Sequence, residues 1–477
     1  MAGETFLHGV EVLDIDSGAR PVATVRTSVI GIVGTAPDAD ASVFPLNTPV
    51  LIAGSRATAA KLDMVGTGLG TLPAALDSIL DQAGAVVVVI RVNKEVTDTA
   101  TLANVLGGTD ANTGQRLGVH ALIAAKSLIG VQPRILIAPG FTHQRTANGV
   151  LTVAKNNAGA GYTNGTHALV FTGGGGTGAA GTATVVGGIV TTVALTANGQ
   201  DYTTNPTVTL AGTAGAGTTT ATFTITRGTV GNSVVAELLG IADQLRAVIF
   251  ADGPGTTDAA AIAYAGDFGS KRVYLIDPPV LKIGTNGMPA QGYASAGAAG
   301  IQARIDNDLG FWWSPSNQLF NGIVGTSRSI DFALGDANSR ANLLNEAKVA
   351  TIIREDGFRL WGNRTLSSDA KWAFLCVVRT ADIINDSLQR AHLWAVDRGI
   401  TKQYLVEVTE SVNAYLRHLV SIGAILGGKC WVDPDLNTPD QIALGKVYFD
   451  FDFTPAYPAE HVTLRSHLVN DYIKEIF

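Results

Sequence analysis

Cysteine, charge and long apolar runs are all scarce in this sequence. Two cysteines, Cys376 and Cys430, stand among 477 residues. That is too few for a disulfide framework, and both read as buried thiols of a protein made in a cytoplasm. Charged residues make up only 15% of the chain, against 46% hydrophobic ones. A globular chain so poor in surface charge is expected to keep much of its surface against partners. The net charge of −7 lacks the basic footprint that nucleic-acid binding requires, so no direct nucleic-acid contact is expected. The longest apolar run, Ala83 to Ile90, is too short to span a bilayer. Met1 to Gly9 has no basic stretch followed by an apolar core, so neither a signal peptide nor membrane insertion is expected.

Catalytic patterns are equally thin. The eight histidines show no metal-ligand spacing; His392 and His418 read as surface or core-edge residues of helices. No Gly-x-Ser-x-Gly elbow is present. Gly423 to Lys429 spells G-x-x-x-x-G-K, but Cys430 stands where Ser or Thr must hold magnesium. A helix also precedes it where a strand is required, so it reads as a helix end. Gly173 to Gly178 has no basic residue and no helix after it, so it reads as linker. Asp252 and Asp277 end buried strands, where α/β enzymes keep catalytic groups. Gly-Pro and Pro-Pro follow them, and turn formation explains both. No catalytic residue, cofactor or metal is expected. An α/β enzyme with a decorated surface loop is the alternative reading.

What is present is strand pattern. At 477 residues two or three domains are expected. Val29 to Val33 and Ala85 to Ile90 are continuous apolar runs that suit strands buried on both faces. Leu72 to Gln82 between them is helical by pattern. Arg134 to Gly140, Val248 to Pro254 and Val273 to Pro279 are each a buried strand ending in a turn. Helical patterns precede the second (Val234 to Leu245) and the third (Ala259 to Phe268, with Asp258 as N-cap). That is a β-α-β-α-β order and predicts a parallel sheet. Between Thr142 and Gly231 the order breaks. Lys155 and Asp201 are the only charged residues from Asn148 to Thr226, and Tyr162-Thr163-Asn164 recurs as Tyr202-Thr203-Thr204. A period of about 40 residues with Gly-punctuated β pattern predicts paired small β-units inserted in a loop. Ser295 onward predicts a small-residue helix fit for close packing. Two further helices are expected, one capped by Asp382 and stopped by Gly399, the other capped by Thr409 and stopped by Gly427-Gly428.

The last stretch, Gly445 to Phe477, organises the rest. Val447, Phe449, Phe451 and Phe453 alternate with polar residues, and so do Val462, Leu464, Ser466 and Leu468. Both read as half-buried strands, joined by the wide turn of Thr454 to Glu460, which holds Pro455 and Pro458. The edge of the second has little to blunt it, so it pairs inside its own sheet or adds to a neighbour. Near the other end, Phe6 to Ile15 holds a short strand with Val10 and Val12 on one side and Glu11 on the other. The Ser17 to Pro21 break behind it would let it dock at a distance.

Gly357-Phe358-Arg359-Leu360-Trp361-Gly362-Asn363-Arg364-Thr365-Leu366, then Asn437-Thr438, Gly445-Lys446, Pro455 and Pro458-Ala459-Glu460 resemble, in order and spacing, segments of contractile phage tail sheath proteins. His8-Gly9-Val10, Ser28 to Gly34, Pro139-Gly140, Asp252-Gly253-Pro254 and Ser314 to Asn317 resemble the same family, which includes R-type bacteriocin sheaths. The resemblance implies an α/β multidomain chain with five parts. They are an N-terminal arm (1–20), a mixed or parallel-sheet outer domain of subtilisin-like α/β type (21–142 and 232–345), an inserted β-repeat domain (143–231), an α+β inner, tube-facing domain (346–460) and a C-terminal arm (461–477). The arms would exchange strands between subunits through Phe6, Val10, Val12, Val462, Leu464 and Leu468. Arg390, Arg398 and Lys402 would face the tube from a helix end whose dipole suits cations. The implied protein is a virion component assembled in a host cytoplasm. It would polymerise with itself as stacked hexameric rings around a tail tube protein, meet baseplate and tail terminator proteins, and contract to drive the tube through an envelope.

Overall fold

The computed structural model describes residues 22–284, 287–470 and 472. Ile30–Thr35 (β1) is buried along its whole length, because its alternate side chains enter two different cores. Ile30 and Ile32 join one, and Val33 joins the other with Val29. Val50–Ala53 (β2) is a half-covered edge strand. Val86–Val92 (β3), Ile135–Ile137 (β4), Val248–Asp252 (β5) and Val273–Ile276 (β6) repeat the design of β1. Val87, Ile135, Phe250 and Tyr274 face one core; Val88, Leu136, Ile249 and Leu275 face the other. Burial of each such side chain contributes about 1.5–3 kcal/mol, which is why the continuous apolar runs are strands of a sheet covered on both faces.

Gln318–Leu319 (β7), Val349–Arg354 (β8) and Phe358–Trp361 (β9) complete a nine-stranded sheet of order β7-β9-β8-β6-β5-β4-β1-β3-β2. From β8 to β3 the neighbours run parallel. At the ends β2, β9 and β7 pair antiparallel. The sheet is therefore mixed. Leu72–Leu80 (α1) and Ala294–Asp308 (α4) supply residues to the first core, and Ser233–Leu245 (α2) and Asp258–Ala265 (α3) to the second. The expected small-residue helix is α4, and its glycines have a steric reason. A Cβ at Gly300 would lie 2.7 Å from the Ile79 carbonyl oxygen of α1.

Between β4 and α2, residues 146–230 form a β-unit with its own core, which includes Val150, Tyr162, Leu169, Val185, Tyr202 and Ile225. Thr146–Asn157 pairs with Thr222–Val230, and four more strands form a second sheet. The sequence repeat has a structural counterpart. Tyr162 OH accepts the Ala221 N–H (2.8 Å) and Tyr202 OH accepts the Ala179 N–H (3.2 Å). Both ends of the unit are fastened. Arg145 grips Asp267 with two hydrogen bonds of 2.8 and 2.6 Å. Asn232 caps α2 and donates to the carbonyls of Phe141 and Gln144.

The described residues divide into two compact units. The larger holds 27–378 with the C-terminal segment from Pro458, and the smaller holds 379–457 with the stretch up to Arg26. In the smaller unit lie most of Leu375–Ala391 (α5), then Lys402–Ser421 (α6) and an antiparallel hairpin, Ile425–Val432 (β10) and Phe449–Pro455 (β11). Tyr404, Val408, Val412, Tyr415 and Leu419 form the buried stripe of α6.

Several expected boundaries are corrected here. The first of these two helices begins at Leu375, with Asp382 in its interior, and ends at Ala391 well before Gly399. Its early turns are buried on nearly all sides, so they carry no polar alternation to read. The second is capped by Thr401, whose side chain accepts the Tyr404 N–H, and not by Thr409. It turns at Gly423 (φ 79°), and Gly427-Gly428 belongs to β10. Thr257, not Asp258, caps α3. Val462 to Leu468 forms no strand in the chain and is exposed throughout. Phe6, Val10 and Val12 lie outside the described residues.

Candidate assembly site

The residues that most resembled catalytic or phosphate-binding groups are engaged structurally. Asp252, at the end of β5, accepts the N–H and the hydroxyl of Ser295, both at 2.7 Å. Full burial, opposed by those bonds, pushes its carboxyl up to about 6. Asp277 accepts from Arg328 (2.7 Å) and from the Gly255 N–H (2.6 Å). Arg328 and Arg340 both also bind Asp258. Gly423 to Lys429 runs from a helix end into a strand, not from a strand into a helix. Among the described residues no His, Cys, Asp or Glu group is placed to hold a metal ion, and no helix is long and apolar enough to cross a membrane.

The feature that stands open is the hairpin of the smaller unit. On β10, the Cys430 N–H donates to Asn413 Oδ1 (2.7 Å), and Asn413 Nδ2 donates to the Cys430 carbonyl (3.1 Å). Cys430 lies opposite Phe451. Paired residues of an antiparallel ladder alternate between bonding to each other and pointing away. Cys430 points away, to Asn413, so Phe451 points away on the opposite side, and Phe449 and Phe453 with it. Among the described residues no group takes these N–H and C=O groups of β11. Beside them lies a cavity of about 1070 Å³ bordered by Leu388, Val396, Tyr404, Val412, Phe449 and Phe451. His392 also borders it; its Nδ1 bonds the Leu388 carbonyl at 2.8 Å, and its buried Nε2 has no partner among the described residues. The Cys430 thiol is pushed up to about 11 by burial and by the Asp450 carboxylate, so it stays protonated.

In the larger unit, Glu460 is held by the Arg364 guanidinium through Nε (2.7 Å) and Nη2. These are two of the residues that carried the family resemblance, and their pairing fixes the root of the segment that follows. Beyond it Val462, Leu464 and Leu468 are 70%, 91% and 99% exposed. Of the cations expected to face a tube, Arg390 is in the last turn of α5. Arg398 lies after that helix, bonds Glu407 at 3.3 Å and stacks over Trp394. Lys402 is not at that helix end: it is the first residue of α6, where the dipole does not favour a cation. Sequence reasoning missed Asn413. Its one legible signal is an amide beside the apolar stripe of an amphipathic helix.

Three family models match successive parts of the chain. They are the tail sheath protein Gp18 domain III N-terminal region over residues 27–92, the phage tail sheath protein central domain over 224–366, and the phage tail sheath C-terminal domain over 367–468. A prophage major tail sheath protein of Pseudomonas aeruginosa is 37% identical over 476 residues, covering 99% of both chains. The tail sheath protein of Escherichia phage P2 is 32% identical over 479 residues, covering 99% of this chain and 98% of its own. Among solved structures, the contracted helical sheath of the anti-feeding prophage superposes with a TM-score of 0.59 at 18% identity, over 98% of this chain and 100% of that one. The contracted sheath of an extracellular contractile injection system, PVC, gives 0.57 at 15% identity over 99% of each. Those two likenesses concern the fold, and they agree with its mixed α/β architecture. The chain belongs to the contractile phage tail sheath family and is a structural, non-enzymatic sheath subunit of a virion.

Proposed function

We propose that the subunit polymerises as stacked hexameric rings around a tail tube, linked by terminal strands that cross between subunits. The open β11 edge carries this reading. The hairpin is fastened to α6 on its β10 side through Asn413, its free strand borders an apolar cavity, and an exposed segment of alternating apolar and polar residues leaves the larger unit after Glu460. Each donated strand offers several backbone hydrogen bonds of about 1 kcal/mol net, plus apolar burial. These links hold the lattice together while the folded units re-pack from an extended to a contracted helix. No nucleotide or metal is consumed in this scheme, so the energy lies in the assembled lattice.

In the same reading, the part of 346–460 that lies in the smaller unit, 379–457, faces the tube, and 21–142 with 232–345 forms the outer domain together with 346–378, whose β8 and β9 lie in the nine-stranded sheet. Residues 143–231 decorate the outside, and 1–20 and 461–477 are the arms. Baseplate and tail terminator proteins would meet the ends of the polymer, and the host cytoplasm would be where it assembles. Removal of Met1 to Ser17 tests the exchange. The truncated protein should melt cooperatively yet form no tubes under the electron microscope. Proline at both Val10 and Val12 should act alike, because proline cannot donate to a ladder. Tubes formed by the truncated protein would sink the exchange, and outright unfolding would place the strand in its own subunit's core.

A further inference from the structure

We infer that the neck of the inserted β-unit is a rigid mount: residues 146–230 are a fixed extension of the rest of the larger unit, and Asp267 sets their angle. The inference stands whichever side of a polymer carries the inserted unit. A domain moves against its host when exposed, flexible linkers join the two. Here both joints have almost no length. Thr146 and Val230 already face each other as the first pair of the antiparallel ladder that leaves the neck, and the chain is bonded to its host right up to that pair.

On the incoming side, the Phe141 N–H donates to the Ala138 carbonyl (3.0 Å). The Thr142 hydroxyl accepts the Asp252 N–H (3.0 Å), and the Thr142 carbonyl accepts the Tyr264 hydroxyl of α3. The Gln144 carbonyl accepts from Asn232 Nδ2 (2.9 Å), which ties the two joints to each other. Arg145 then reaches Asp267 through Nε and Nη2. A guanidinium that meets a carboxylate at two points fixes direction as well as distance. The two side chains are only 27% and 13% exposed, so salt screens the pair little. On the outgoing side, a Cβ at Gly231 would lie 3.1 Å from Asp267 Cβ and 3.2 Å from the Phe268 ring, so the chain passes directly over Asp267. Asn232 follows and caps α2 by accepting the Val235 N–H (2.9 Å). Asp267 therefore touches both strands of the neck. Its own place is set by its N–H, which donates to the Tyr264 carbonyl (3.0 Å) at the end of α3.

Fluorescence anisotropy decay on the full-length, unassembled subunit tests the mount. Cys376 and Cys430 are buried, so a dye on Thr192→Cys, an exposed position of the inserted unit, reports the motion of that unit. Beyond the dye's own local swing, it should show only the slow rotation of the larger unit. Arg145→Ala with Asp267→Ala should add a component about fourfold faster, in proportion to the inserted unit's share of the larger unit. Exchanging the pair, Arg145→Asp with Asp267→Arg, should return the slow decay, which a mere loss of folding would not. A version with short runs of glycine added on both sides of 146–230 supplies the decay of a loose unit. A wild-type decay matching that loose version would overturn the rigid mount. A decay of the double alanine variant equal to that of the wild type would overturn the role of Asp267.

Discussion

At the scale of the residue, Asp252 shows how a carboxylate at a parallel strand end can be structural. It is fully buried, and Ser295 satisfies it from the first turn of α4. Its carboxyl titrates at about 6 in the fold against 3.8 normally. Because the folded value is raised, its contribution to stability is fully present below 3.8 and is lost as pH rises to about 6. Asp252→Asn, neutral throughout, should lack that loss. Stability of the wild type relative to the variant should fall by about 2–3 kcal/mol between pH 4 and pH 7, read by chemical denaturation. A constant difference would mean that Asp252 is not buried as described. The proposed tube contacts are also a residue-scale matter. Arg398→Glu with Lys402→Glu should weaken co-sedimentation of sheath with tube at low salt, where exposed charges act farthest. Unchanged co-sedimentation would reject that assignment.

At the scale of the element, what was legible follows from burial. Strands β1, β3, β4, β5 and β6 could be read because a sheet covered on both faces forces continuous apolar runs. The inserted β-unit could be read because its composition changes abruptly. The starts of α5 and α6 could not. Asp382 and Thr409 resemble caps only if the preceding turns are outside the helix, and burial of Leu375 to Thr380 hides that they are inside. The open edge of the hairpin was half legible. Phe449, Phe451 and Phe453 gave the strand, but which of its edges is open depends on Asn413, a contact across 17 residues that no periodicity encodes. The insertion has its own core and its two ends are fastened by Arg145 and Asn232. Replacing Thr146–Val230 with a short Gly-Ser linker, keeping both anchors, should leave tube formation intact. An insoluble or non-polymerising product would place the unit in a lattice contact.

At the scale of the whole molecule, each subunit presents an unfinished hairpin and an unpaired, alternating segment, and a polymer is the arrangement that resolves both. The residues behind the family resemblance fit that description. Arg364 and Glu460 tether the root of the segment instead of building a chemical site. In the proposed lattice, strand donation would keep neighbours linked through backbone bonds that do not depend on how the folded units pack. A density map of the assembled sheath, at a resolution that separates strands, tests this most directly. The account predicts a strand from another copy lying along Phe449–Pro455, with the Cys430 side of the hairpin still closed by Asn413. A hairpin left two-stranded in the lattice, with 461–468 running elsewhere, would contradict it.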